Sequence, residues 1–294
     1  MTYTTIAVIY NPNSTGPSET LAKNFAKAVQ EKLPKQKVEL FATKHAGHAE
    51  KLAYSIAKDS KHPLIISSSG DGGYNEVING ALKAQNEGAH PTTSLLPAGN
   101  ANDHFKNLNN KDLVQLVVDG KSRNIDVLKL TYTAKGKAKE RYAHSYIGLG
   151  LTPIVGNELN KTKLNIFNQV WIVAKAILSI KSVKLKIDKK ARHYDSVIFS
   201  NVDKMSKYMR VSQPSHVSDG KFEVTIFKRR NKFQLIALLL KASFVGLKED
   251  AKVSSYSLET VHETIIQADG EIMTVDGHSH VTVTAEKQLL ACVI

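Results

Sequence analysis

Apolar runs and amphipathic stripes alternate through the first third of the chain. The run Ile6–Tyr10 predicts a buried strand. The polar turn Asn11-Pro12-Asn13-Ser14-Thr15-Gly16 follows it. Leu21, Phe25, Val29 and Leu33 then recur on one face of a predicted helix, with Pro17 near its first position. Val38–Phe41 predicts a second strand, and Ala49, Leu52, Ala53, Ile56 and Ala57 a second helix. Leu64–Ile66 leads into the glycine-rich turn Ser69-Gly70-Asp71-Gly72-Gly73, after which Val77, Ile78, Ala81 and Leu82 mark a third helix. Thr93–Leu96 and the turn Pro97–Asp103 close the series. Repeated βα units of this length predict a parallel, doubly wound sheet. Such sheets bind ligands at the carboxyl ends of their strands, where all three polar turns fall.

After about Arg123 the rhythm changes. Short β-rich runs at Ile125–Thr131, Tyr142–Ile147, Ser196–Phe199, Phe222–Phe227, Thr264–Gln267 and His280–Thr284 predict an antiparallel sandwich. The expected fold class is therefore α/β plus β. An α/β domain would span residues 1–124 with 286–294, and a β-sandwich residues 125–285. Two helical stripes interrupt the second part. One runs over 166–182 through Phe167, Val170, Trp171 and Ala174; the other runs over 232–245 through Phe233, Ile236, Leu240 and Phe244. Each has basic flanks, so each reads either as a core-packing helix or as a face laid on lipid headgroups.

Composition narrows the partners. The 294 residues carry a formal net charge of +13, which favours anionic ligands: nucleotide, nucleic acid or acidic lipid. No zinc-finger spacing or helix-turn-helix accompanies that charge, so nucleic acid is not expected. The single cysteine, Cys292, excludes an internal disulfide and fits a reducing cytoplasm. No apolar run reaches the roughly 18–20 residues that span a bilayer, and no secretory signal is expected.

The candidate chemistry lies in the turns. A glycine-rich turn that opens a helix aims several backbone N–H groups and the helix dipole at one point, a geometry that binds phosphate. Asn11–Gly16, Ser69–Asn75 and Pro97–Asp103 follow three strands and would together line one nucleotide site. The Walker pattern and the protein-kinase loop set are both absent. The order of these pieces resembles the diacylglycerol kinase catalytic-domain family, which includes bacterial lipid kinases and sphingosine kinases and is related to NAD kinases. The carrying residues are Asn11–Gly16; Ser69–Gly80 with Asn75, Glu76, Val77, Asn79 and Gly80; Pro97–Asp103; Asp219-Gly220; and Asp269-Gly270-Glu271.

The resemblance implies an NAD-kinase-like domain, a β-sandwich, and ATP-dependent phosphorylation of a lipid hydroxyl in phospholipid metabolism. It implies nucleotide contacts at Asn11, Pro12, Asn13, Ser14, Thr15, Gly16, Thr43, Ser69, Gly70, Asp71, Gly72, Gly73, Tyr74, Asn75 and Asn100. Glu271 would be the general base, with Asp269 beside it and Asp71 as its competitor. A structural Mg²⁺ would fall on Asp219, the backbone of Lys221, and His216. The expected partners are ATP, a lipid substrate and the anionic inner face of a membrane, held peripherally, with a homodimer as a further candidate. Two other readings stand beside this one: a kinase of a polar, NAD-like acceptor, and a non-catalytic nucleotide or lipid binder.

The chain departs from the family pattern at four places. Gly73 and Asn100 stand where threonines are usual, Ser69 where a glycine is, and Ser218 where an acid is frequent. Asp269 and Glu271, two apart, would face one side if they lay on a strand, though not on a turn. His278 with His280, and His45 with His48, read as structural or solvated pairs, and Gly148-Leu149-Gly150 as a loop.

Overall fold

The computed structural model describes all residues except 1, 2, 15, 100, 101, 109–111, 151–181, 206–208, 211–215, 233, 236 and 238–246. The chain divides into two units, Met1–Ile125 with Gln288–Ile294 and Asp126–Lys287.

Unit 1 contains β1 (Thr5–Tyr10), α1 (Ser18–Lys32), β2 (Val38–Ala42), α2 (His48–Asp59), β3 (Pro63–Ser69), α3 (Asp71–Asn86), β4 (Thr92–Pro97), α4 (Asp103–Leu108) and α5 (Leu113–Val118). The strands pair in parallel in the order β4-β3-β1-β2. The end of the chain adds a further parallel partner, with Cys292 opposite Thr93 of β4. Alternation along β1 explains the layering. Ile6 and Val8 join Ala22, Phe25 and Val29 of α1 and Leu113, Leu116 and Val117 of α5 in one core. Ala7 and Ile9 are also fully buried, pointing to the other face of the pleat. The order reverses direction between β1 and β3, a topological switch point.

Helices α2 and α3 touch closely, and Gly80 is the reason. A Cβ there would stand 2.1 Å from the Glu50 carbonyl oxygen of α2. Glu76, one turn earlier on α3, accepts the N–H groups of Gly47 (2.8 Å) and Ala49 (3.1 Å) and so caps α2. The Asn-Glu…Asn-Gly part of the signature is thus a helix-packing device: Asn79 also donates to the Asn75 carbonyl at 2.8 Å.

Unit 2 is antiparallel. Its strands are β5 (Arg123–Ala134, which begins in unit 1), β6 (Lys137–Ala143), β7 (Tyr146–Gly150), β8 (Val183–Ile187), β9 (Lys190–Ser200), the short pair β10 (Lys204–Met205) and β11 (Met209–Arg210), β12 (Phe222–Lys228), β13 (Ala251–Val253), β14 (Ser255–Thr260), β15 (Thr264–Ala268), β16 (Glu271–Val275) and β17 (His280–Cys292). The ladder runs β16-β15-β7-β9-β8-β14-β17, with β12 on β9 and β13 on β12. Leu128, Leu149, Val197, Phe199, Phe222, Leu258, Ile266 and Val283 are among its core. The α/β-then-antiparallel-β plan read from the hydrophobic pattern is the plan of the molecule.

Two local expectations are corrected. The run Tyr142–Ile147 is not one strand but β6 and β7, broken at His144-Ser145. Gly148-Leu149-Gly150 is not a loop; it lies in β7, paired with β9 on one side and β15 on the other. The two basic-flanked helical stripes, with Trp171 and Phe233, fall largely outside the described residues. Of the second stripe, Lys232, Gln234, Leu235 and Ala237 are helical.

Candidate functional site

The turns after β1, β3 and β4 are tied into one cluster at the switch point. Ser18 accepts the Asn11 N–H at 3.0 Å and donates to the Ser68 carbonyl, while Ser68 returns a bond to the Ser18 carbonyl at 2.7 Å. Ser14 donates to the Ala98 carbonyl at 3.1 Å, and the Ala98 N–H donates to the Ser69 carbonyl at 2.9 Å. Two glycine contacts permit this closeness. A Cβ on Gly16 would meet the Ala98 oxygen at 2.3 Å, and one on Gly99 would meet the Gly70 Cα at 2.4 Å. Within the first turn, Asn11 Oδ1 accepts the Asn13 N–H at 2.9 Å. Pro12 and Asn13 are exposed at its tip, and Thr43 follows β2 with its N–H bound to the Tyr10 carbonyl. Thr15 and Asn100 lie outside the described residues.

Gly70 caps α3, a helix of 16 residues whose N-terminus starts at Asp71 within this cluster. Backbone N–H groups and a helix dipole at a switch point make a receptor for phosphate. Gly73 fits the first turn of α3 because Ser69 fills the neighbouring space: a Cβ on Gly73 would lie 2.6 Å from Ser69 Oγ. That hydroxyl is held at 2.6 Å from Ser67 Oγ. The side chain of Ser69 and any side chain at position 73 would thus compete for the same space.

Asp71 does not stand clear as a base. Its oxygens accept the N–H groups of Asp103 (3.0 Å) and His104 (3.2 Å), joining the β3 turn to the start of α4. Tyr74 and Asn75 are also displaced from the role expected of them. Both side chains are fully buried. The Tyr74 hydroxyl lies 3.0 Å from Thr93 Oγ1 and 3.3 Å from Cys292 Sγ, in the core. Burial pushes the Cys292 thiol above its ordinary value, as expected of an inert cysteine.

In unit 2, Asp269-Gly270 is a two-residue hairpin turn between β15 and β16. Both residues have positive φ, +47° and +100°, the pattern of a type I′ turn. The turn places the two carboxylates in different surroundings. Asp269 is fully buried and accepts the N–H groups of His144 (2.6 Å), Ser145 (3.0 Å) and Tyr146 (2.9 Å). His144 Nε2 lies 3.3 Å from the same carboxylate. Asp269 thus clamps the break between β6 and β7. Glu271 opens β16 and is only partly buried.

The Asp219 carboxylate, expected to hold a structural Mg²⁺, has a protein partner on each oxygen. One oxygen of Asp219 accepts the Lys221 N–H at 3.0 Å, and the other is 2.9 Å from Lys252 Nζ. His216 is exposed, and its carbonyl accepts the Asp219 N–H at 3.4 Å. Among the described residues no three His, Cys, Asp or Glu side chains converge on a cation position. His278 and His280 are exposed. His48 Nδ1 accepts the Lys44 N–H at 3.1 Å; partial desolvation, then His45, Lys44 and Lys51, hold that imidazole below its ordinary value.

Comparison with known proteins agrees with the motifs. Residues 5–130 match the family model of the diacylglycerol kinase catalytic domain. A curated diacylglycerol kinase of Bacillus subtilis (strain 168) is 26% identical over 249 residues, 80% of this chain and 77% of that one. A crystal structure of a diacylglycerol kinase from Bacillus anthracis str. Sterne superposes with a TM-score of 0.66 at 16% identity, covering 100% of this chain and 97% of that one. A yeast NADH kinase complexed with NADH has a TM-score of 0.50 at 11% identity, covering 98% of this chain and 82% of that one. The two structures establish the shared fold, NAD-kinase-like in its first unit.

Proposed function

Proceeding from the diacylglycerol kinase catalytic domain on residues 5–130, we propose that this protein is a lipid kinase. It transfers the γ-phosphate of ATP to a hydroxyl of diacylglycerol or a similar lipid. The observation that carries the reading is the cluster of three glycine turns at the β1/β3 switch point, closed by the N-terminus of α3. Phosphoryl transfer asks little covalent chemistry of a protein. It needs the phosphates fixed in line and their charge balanced. Backbone amides of Gly70, Gly72 and Gly73 at the start of α3 supply fixed dipoles for that purpose, with the Asn11–Gly16 turn packed beside them, and Mg²⁺ arrives with the triphosphate as part of the substrate.

Glu271 is the general base. It opens β16 directly after the Asp269-Gly270 turn and is only partly buried, whereas Asp71 and Asp269 accept backbone N–H groups. Asp269 positions the strand break, and Asp71 positions α4 beside the turn of α3. A carboxylate at Glu271 would accept the hydroxyl proton late in the transfer, an effect worth roughly 10²–10⁴-fold.

The lipid acceptor is supported by the names of the relatives and by the charge of +13, which favours an anionic surface. Among the described residues no helix is long and apolar enough to cross a membrane. On the strength of that charge, the protein would meet its substrate peripherally, at the inner face. Ile265 and Ile272, 51% and 43% exposed on the β15–β16 hairpin that carries Glu271, offer an apolar contact for that surface.

The test is transfer of labelled γ-phosphate from MgATP to a panel of diacylglycerol, monoacylglycerol and NAD in mixed micelles. Labelled phospholipid is the expected product. Label on NAD alone would assign a polar acceptor, and ATP binding with no labelled product would assign a non-catalytic binder.

A further inference from the structure

We propose that Lys252 is the resident cation of unit 2, its ammonium standing where a divalent ion would otherwise bridge Asp219 and Glu223. The antiparallel register sets the arrangement: Glu223 of β12 lies directly opposite Lys252 of β13. Cross-strand partners of opposite charge attract, and here the pair reaches a third group. Lys252 Nζ is 3.1 Å from Glu223 Oε1 and 2.9 Å from Asp219 Oδ2. Glu223 is 3% exposed, so its carboxylate is costly without a nearby positive charge. Lys252 supplies that charge, and the hydrogen bond to Asp219 leads the causes that hold its ammonium above the ordinary lysine value.

The turn at Asp219-Gly220 is held by N–H donors. Asp219 Oδ1 takes the Lys221 N–H, and the buried Asp126 Oδ2 takes the Gly220 N–H at 2.6 Å. The Lys287 methylenes lie over Gly220, where a Cβ would meet Cδ at 3.2 Å. Hard divalent ions require carboxylate and carbonyl oxygens turned toward one centre, and they gain nothing beside an ammonium already seated there. Ser218, directly before Asp219, offers a hydroxyl and not a second carboxylate. Unit 2 should therefore fold and persist without any divalent cation, and removal of the ammonium should expose a latent cation site.

The experiment is thermal unfolding and Mn²⁺ titration of the full chain without nucleotide. It is independent of whether the protein transfers phosphate. The wild type is expected to melt at the same temperature in EDTA and in saturating Mg²⁺, and to show no saturable Mn²⁺ binding. Lys252→Met is expected to melt lower in EDTA and to recover on adding Mn²⁺. Its Mn²⁺ affinity should be at least tenfold above that of the wild type and should be lost again in Lys252→Met/Asp219→Asn. Lys252→Arg, which keeps one positive charge, should stay indifferent to the cation. Saturable Mn²⁺ binding by the wild type that Asp219→Asn abolishes would overturn the proposal. So would a Lys252→Met protein that loses no stability and binds no Mn²⁺. If Lys252→Met fails to fold in EDTA, recovery of folded protein on refolding with Mn²⁺ supports the proposal, and no recovery counts against it.

Discussion

Gly73→Ala tests whether the two departures in the phosphate turn are physically coupled. In an open helix this change would gain about 1 kcal/mol of propensity. Here the new methyl would sit 2.6 Å from Ser69 Oγ and 2.7 Å from Ser69 Cβ, well inside contact distance. Ser69 cannot rotate freely, because its hydroxyl is bonded to Ser67 Oγ at 2.6 Å and to the Gly70 carbonyl at 3.0 Å, and the residue is 6% exposed. Displacing it breaks those bonds and leaves a buried hydroxyl at Ser67, a loss of about 2–4 kcal/mol. Subtracting the propensity gain leaves a net destabilisation of about 1–3 kcal/mol, in the range of overpacked cores. In a Ser69→Gly background the obstruction is gone, and the same alanine should be neutral or stabilising. The assay is urea unfolding of the four proteins of the cycle, read as a coupling energy. A coupling of about 1–3 kcal/mol is expected. Additivity within about 0.3 kcal/mol would refute the interlock.

Three further perturbations check the architecture. Asp269→Asn should cost about 2–3 kcal/mol in urea unfolding, because Oδ2 accepts the His144 N–H and Oδ1 those of Ser145 and Tyr146, and one of these two acceptors becomes an amide donor; equal stability to the wild type would remove the clamp. Gly80→Ala should destabilise by about 1–3 kcal/mol despite its better helix propensity, since the methyl would meet the Glu50 oxygen of α2; a raised unfolding midpoint would show that α2 yields. Burial holds the Asp195 carboxyl above its ordinary value of 3.8, opposed by the Arg230 N–H and the charges of Arg230 and Arg229. Its ionisation therefore costs stability as pH rises from 3.8 through the higher folded value. Asp195→Asn should accordingly be more stable than the wild type at pH 7, with the advantage shrinking toward acid; a difference constant with pH would contradict this.

The βα rhythm of unit 1 was legible because β1 and β3 are buried on both faces and α1 and α2 each carry one apolar stripe. The switch-point turns were legible because glycine and serine clusters interrupt that rhythm. The break at His144-Ser145 was not legible. The apolar run Tyr142-Ala143 resumes at Tyr146-Ile147 after only two polar residues, and the break is fixed by Asp269, 125 residues away. Asp-Gly is itself a hairpin signal. Of the two alternatives left open for Asp269 and Glu271, strand or turn, the structure has the turn, with Asp269 in the left-handed region at +47°. Tyr74 and Asn75 stand in the turn motif, but helix geometry rotates them into the core, which residue type alone does not reveal. Lys252 belongs to no motif. Only the β12–β13 register brings it to Glu223 and Asp219.

The most direct test of the account is single-turnover transfer from labelled MgATP to diacylglycerol by the wild type and by Glu271→Gln, with ATP affinity measured alongside. The account predicts labelled phospholipid from the wild type, a rate roughly 10²–10⁴-fold lower in the variant, and unchanged ATP binding. Full transfer by Glu271→Gln would contradict the assignment of the base, and no transfer by a wild type that binds ATP would contradict the kinase itself.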